Sequence, residues 1–153
     1  MGMDVYGRKP KSKEGEYFRA NVWYWHPLWS YCEIKHPTLA NETKVPYAHS
    51  NDGSGLKSID ATNLGKFILK DIENGQAQQF IDQRNEYLDS LPLEDCNFCQ
   101  TTGVRQWDDG EKTCNACSGS GKIEPFEKHY VLDIEVLKEF ANFLINSGGF
   151  NIW

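Results

Sequence analysis

The sequence predicts an α+β fold: a small, helix-rich domain with a short sheet and an inserted β-hairpin. Three observations carry this. Apolar residues recur at helical spacing from Ser58 to Leu91 and again from Asp133 to Leu144. Short strand-like stretches, "MDVYG" and "FNIW", stand near the two ends. Between the helical regions, four cysteines fall in two C-x-x-C pairs on either side of a turn sequence. At 153 residues the chain is long enough for one real core and too short for two ordinary domains. A single domain over 1–153 is therefore expected, with 94–123 as an inserted annex.

Each element follows from local chemistry. "MDVYG" alternates polar with apolar residues ahead of a Lys, Pro and Gly cluster, which marks a strand and then a loop. "EYFRANVWYW" alternates only in part and reads either as a strand or as the approach to a helix. His26-Pro27 reads as a helix start with Pro at the first helical position, and Leu28, Tyr31, Cys32 and Lys35 follow at helical spacing up to Pro37. "ETKVPYAHSNDGSGLKS" is loop-like. From Ser58, Ala61, Leu64, Phe67, Ile68 and Ile72 form one apolar face, and Asn74-Gly75 supplies a stop. A further helix over 77–91 places Phe80, Arg84, Tyr87, Leu88 and Leu91 on a face, so these two are expected to form a helical hairpin. "KHYVLD" reads as a strand and Asp133 as an N-cap. The helix behind it turns Leu137, Phe140, Ala141 and Leu144 inward and ends at Ser147-Gly148-Gly149, before "FNIW" closes the chain as an edge strand.

The formal charge of −6 excludes a general affinity for nucleic-acid backbone, which depends on Lys and Arg displacing counterions along the phosphates. Residues 7–19 are locally basic, with Arg8, Lys9, Lys11, Lys13 and Arg19 against Glu14 and Glu16, and read as a solvated, mobile segment. No apolar run reaches the roughly 18 residues of a membrane span, and the first residues lack the apolar middle of a secretory signal. A cytoplasmic protein without membrane contact is expected. In that compartment thiols stay reduced, so paired cysteines point to metal or redox chemistry before disulfides.

Cys96, Cys99, Cys114 and Cys117 supply C-x2-C, 14 residues, then C-x2-C. Two such knuckles brought together by a hairpin offer the tetrahedral four-thiolate shell that zinc prefers. Asp108-Asp109-Gly110 is a suitable tight turn for that hairpin. Gly103, Gly119 and Gly121 let backbone N–H groups turn toward sulfur. One structural Zn2+ is the expectation, because a closed site of four thiolates leaves no position for substrate. A redox pair is expected at a helix N-terminus after a βαβ unit, which neither pair follows. An iron–sulfur cluster uses the same four sulfurs, and spacing alone does not separate it from zinc.

"CNACSGSGK" matches C-x-x-C-x-G-x-G, and "CNFCQTTG" is similar to a degenerate copy with Thr101 in place of the first Gly. Residues 96–122 thereby resemble the cysteine-rich zinc module of DnaJ-type co-chaperones. The resemblance implies zinc ligation by these cysteines and a hairpin shape; in that family the module can help bind unfolded clients, a function the resemblance does not carry to this chain. Four repeats are usual there, against two here, and no His-Pro-Asp signature lies upstream. "MGMDVYG", "VWYWHPLW", "HSNDGSGL" and "SGGFNI" look similar to a set of small uncharacterised phage and bacterial proteins.

Two further stretches carry candidate chemistry. "NVWYWHPLWSY" sets Trp23, Tyr24, Trp25, Trp29 and Tyr31 close together around His26, either as core or as an aromatic slot that stacks a base or grips a side chain. "YAHSNDGSGL" places His49, Ser50, Asn51 and Asp52 on a Gly-bearing loop ahead of a helix, as an anion cradle or as an ordinary Asx-turn. The candidate ligand residues are Trp23, Trp25, His26, Trp29, His49, Asn51 and Asp52. No G-x-S-x-G or H-E-x-x-H occurs, and no catalytic residue is assigned. Cys32, alone on an apolar face, reads as buried and inert.

The functional expectation is a non-enzymatic, zinc-stabilised protein that binds a small polar or nucleotide-like ligand, or a protein partner. Two alternatives stand beside it: a chaperone-like or adaptor module contacting proteins through the zinc hairpin, and a small hydrolase using His49 and Asp52.

Overall fold

The computed structural model describes residues 2–153, and the chain is α+β. It divides into two compact units, one made of residues up to 83 with 130–153, the other of residues 84–129. The 94–123 annex lies inside the second unit.

In the first unit, β1 (Gly2–Gly7) is the middle strand of an antiparallel sheet, flanked by β2 (Tyr17–Asn21) and β7 (Phe150–Ile152). Val5 lies opposite both Phe18 and Ile152, and all three are buried. The period of two sends Tyr6 and Tyr17, also paired, to the outer face, where their rings meet at 5.1 Å. The basic stretch after β1 is no free arm. Arg8, Lys9 and Lys11 donate backbone N–H groups to the carbonyls of Gly149, Ser147 and Asn146 at 2.7, 3.1 and 2.8 Å.

The undecided segment resolves into both readings, β2 and then α1 (Val22–Lys35). Asn21 caps the helix by accepting the Tyr24 N–H at 3.1 Å, so α1 begins four residues before the His26-Pro27 start expected of it. Pro27 is therefore internal and leaves the Trp23 carbonyl without its helical donor. Val131 N–H fills that position at 3.0 Å. This is why "KHYVLD" forms no strand: Val131 bonds to α1 instead of a sheet, while Lys128 and His129 belong to a short 3-10 turn in the second unit.

α2 (Ser58–Glu73) and α4 (Ile134–Asn146) form the main helix pair, in place of the hairpin expected of α2 with α3 (Gln76–Ser90). Small residues decide this. A Cβ on Gly65 would stand 2.7 Å from the Ala141 carbonyl oxygen, so only glycine permits the approach. The buried stripe of α2 is Ala61, Leu64, Gly65 and Ile68, which leaves Phe67 exposed, stacked on His36 at 5.6 Å. On α3, Ala77, Ile81 and Leu88 are buried and Tyr87, expected inward, is exposed. Asp133 caps α4 through the Val136 N–H at 2.8 Å, and Leu137, Phe140, Ala141, Phe143 and Leu144 face the core. The buried Asp71 of α2 accepts the Tyr31 hydroxyl at 2.7 Å and meets His36 Nε2 at 2.9 Å, tying the end of α1 to α2. Among the described residues no helix is long and apolar enough to cross a membrane.

The second unit holds two small antiparallel ladders. β3 (Glu94–Asp95) pairs with β6 (Lys122–Ile123), and β4 (Val104–Trp107) pairs with β5 (Gly110–Thr113). Trp107 opposite Gly110 leaves Asp108-Asp109 as a two-residue turn, the hairpin expected between the cysteine pairs.

Candidate metal centre

The two cysteine pairs, 18 residues apart, are built alike. Cys96 N–H donates to the Gly121 carbonyl at 2.9 Å, and its counterpart Cys114 N–H to the Gly103 carbonyl at 2.8 Å. Thr101 N–H reaches back to Cys96 O and Gly119 N–H to Cys114 O, each at 3.2 Å. Thr102 and Ser120 repeat the relation to Cys99 O and Cys117 O, each at 3.0 Å. Gly103 N–H then donates to Cys99 Sγ, and Gly121 N–H to Cys117 Sγ, both at 3.3 Å. Each knuckle thus closes on the other through a local two-fold relation. Its tightness shows where the glycines meet the opposite copy, Gly103 against the Gly119 carbonyl and Gly121 against the Thr101 carbonyl. The Gly119 N–H donates to the Cys114 carbonyl and, as expected of it, also helps to lower the Cys117 thiol.

All four cysteines are buried, none is in a disulfide, and their sulfurs lie within 4.8 Å of one another. Cys96 and Cys114 sulfurs are 3.9 Å apart, and those of Cys99 and Cys117 3.7 Å. Four sulfurs each about 2.3 Å from one tetrahedral ion would be about 3.8 Å apart, so the cage has the dimensions of a single-ion site. The N–H donors matter here, because they spread the negative charge that thiolates concentrate. Burial raises the Cys117 thiol, but the Gly121 N–H and the neighbouring sulfurs outweigh it and bring the group down to about 6. Burial carries Cys99 up to about 11, against the Gly103 N–H. The Gly121 N–H and the neighbouring sulfurs thus favour the thiolate at Cys117, the form that ligates metal. Cys32 is buried in the first unit's core, where burial pushes its thiol far up, so it is inert as expected.

The aromatic segment divides. Trp25 and Trp29 are 0% exposed, with rings stacked at 5.8 Å and edges on Phe140 and Phe150. Their place among gripping residues is corrected: α1 starts at Val22, so these positions face the sheet and α4. Trp25 Nε1 donates to the Ala48 carbonyl at 2.8 Å, which pins the 47–56 loop to α1. That bond brings the loop's His49 over His26, with rings stacked at 4.5 Å and 13°. Tyr130 meets the His26 ring edge-on at 5.6 Å and the Trp23 ring at 5.1 Å. Burial lowers both imidazoles below their ordinary 6.5, helped at His26 by the His49 ring, so both are neutral at pH 7.

Asn51 and Asp52 do not join this cluster by any bond. Asn51 Nδ2 donates to the Gly2 carbonyl at 3.1 Å, and Asp52 is exposed. The carboxylate His49 faces is that of Glu33, 3.9 Å from its Nε2, so the His49 and Asp52 pair of the hydrolase alternative is not formed. Glu33 and Tyr130 were missed by sequence reasoning. Glu33 follows Trp29 by one helical turn and accepts its Nε1–H at 3.1 Å, a spacing already legible within the helix expected after Pro27. Tyr130 carries no sequence signal, being brought in by Val131. In comparisons with protein-family models, curated proteins and solved structures, nothing matches this chain, so the site is read from its own geometry.

Proposed function

We propose that this chain is a non-enzymatic, zinc-stabilised binding protein. One Zn2+ held by Cys96, Cys99, Cys114 and Cys117 orders the hairpin, and a closed shell of four thiolates does no chemistry. The single-ion dimensions of the sulfur cage favour zinc over a multi-iron cluster. The binding surface in this reading is the half-buried Trp23, His26 and Tyr130 with the exposed His49, beside Glu33. The observation that carries it is the His26 and His49 stack, which joins two loosely related segments into one surface of rings with neutral ring nitrogens available to donate and accept. Such a surface takes a small polar ligand with a planar group, or a side chain of a protein partner, by stacking and a few hydrogen bonds.

Native mass spectrometry of protein purified from its host cells tests this. The expected species carries one zinc and a retained small molecule or partner, which Trp23→Ala and His49→Ala lose while keeping zinc. Steady turnover of a phosphoester or acyl substrate, abolished in His49→Ala, would replace this reading with the hydrolase one.

A further inference from the structure

The metal hairpin carries a second arrangement of chemistry that neither the zinc nor the first unit's surface uses. On β4, Arg105 and Trp107 share a face, as the period of two requires. The Arg105 guanidinium lies over the Trp107 ring at 5.1 Å and over the Phe98 ring at 5.8 Å. Both rings are otherwise open, Phe98 being 62% and Trp107 47% exposed. A guanidinium held over two rings loses little freedom when it binds a further group.

Arg105 also lacks a counter-ion. Its one hydrogen bond is a long one, 3.4 Å to the Asn115 amide oxygen, and among the described residues no carboxylate pairs with it. Acids nevertheless outnumber Lys and Arg nine to five over residues 84–129. Beside it opens a cavity of about 530 Å3, lined by Phe98, Gln100, Thr102, Arg105, Gln106 and Glu111. That volume lies within the range of small-ligand sites, about 300–1,000 Å3.

We infer that this cavity binds a planar heteroaromatic ring carrying one anionic group, of the class of a nucleoside monophosphate. The ring stacks on Phe98 or on the outer face of the guanidinium, the side-chain amide of Gln100 reaches its edge, and the Arg105 N–H groups take the anionic oxygens. The acid excess limits the ligand to one such group. Asp108, Asp109 and Glu111 repel a longer phosphate chain, with Lys112 committed to Asp109 at 2.5 Å. The site therefore differs from one for extended nucleic acid.

The test is a backbone-amide NMR titration of the zinc-loaded full chain with adenosine monophosphate, adenosine, inorganic phosphate and adenosine triphosphate. The zinc content of the same sample is measured, so that failure of the metal reading is seen separately. The monophosphate is expected to shift the amides of Phe98, Arg105 and Gln106, and to bind at least about tenfold more tightly than adenosine or phosphate alone. The triphosphate should bind no more tightly than the monophosphate. Arg105→Lys, which keeps the charge and removes the planar edge, and Phe98→Ala should each weaken binding about tenfold with zinc unchanged. No shift at these amides with monophosphate at about 10 mM, well above a millimolar Kd, overturns the proposal. Shifts confined to His26 and His49, or equal binding by Arg105→Lys, do so as well. Capture of a polypeptide on Phe98 and Trp107 without response to the monophosphate replaces it with a protein contact.

Discussion

The Trp23 carbonyl, deprived of a helical donor by Pro27, accepts the Val131 N–H at 3.0 Å. One proline therefore determines where the stretch before α4 docks, and through it where Tyr130 meets Trp23 and His26. Val131→Pro removes the donor and strands a carbonyl. It should cost about 1–3 kcal/mol in urea unfolding, whereas Val131→Ala keeps the N–H and should lose much less. Equal losses in the two variants would show that the bond contributes nothing.

Thr101 and Gly119 occupy equivalent places in the two knuckles, at φ +67° and +84°. A β-branched residue in the left-handed region is strained by roughly 1–2 kcal/mol. Thr101→Gly should therefore raise the stability of the metal-loaded chain by about 1 kcal/mol, and Gly119→Thr should lower it by at least that much, its Cβ standing 3.1 Å from Thr113 Cγ2. Denaturant unfolding reads both. A loss on Thr101→Gly would argue against the equivalence of the copies.

Gly65→Ala should destabilise the first unit by about 1–3 kcal/mol, because the new Cβ meets backbone and not a movable side chain. Thermal unfolding measures it. An unchanged or higher midpoint would mean that α2 and α4 are less closely apposed than described.

Stability should depend on His26 and His49. Burial holds both below 6.5, so the unfolded chain takes up protons first as pH falls. The folded state then loses stability progressively below about pH 6.5, down to the lowered folded values, and is unaffected by these groups above it. Glu33, raised by burial, takes up its proton more readily in the folded chain and so opposes this trend. Denaturation midpoints between pH 7.5 and 5.5 should decline in the parent, and less in a His26→Gln, His49→Gln double variant; identical profiles would contradict the stack.

Legibility in the sequence followed how local the cause was. The Asp108-Asp109 turn, the Asp133 cap and the inward face of α4 depend on neighbours within a few residues, and the cysteine cage announces itself by a repeated C-x-x-C spacing, so the sequence shows them. The strand at 128–133 and the α2–α3 hairpin failed for non-local reasons. Val131 answers a vacancy more than a hundred residues away, and Gly65 reads as an indifferent helix residue until Ala141 is placed against it. Trp25 and Trp29 are candidates for a ligand because five large rings within nine positions exceed what one helix face can bury, but the sheet and α4 together cover both. With Asn21 as the cap, their spacing from Leu28 and Cys32 marks them as core.

The central claim is that Cys96, Cys99, Cys114 and Cys117 together hold one zinc ion. Metal analysis by plasma mass spectrometry on the purified parent, Cys32→Ser and Cys114→Ser tests it most directly. About one zinc per chain in the first two, with most of it lost in Cys114→Ser, is the expected result. Equal zinc in both variants, or iron with labile sulfide in the parent, would contradict the account.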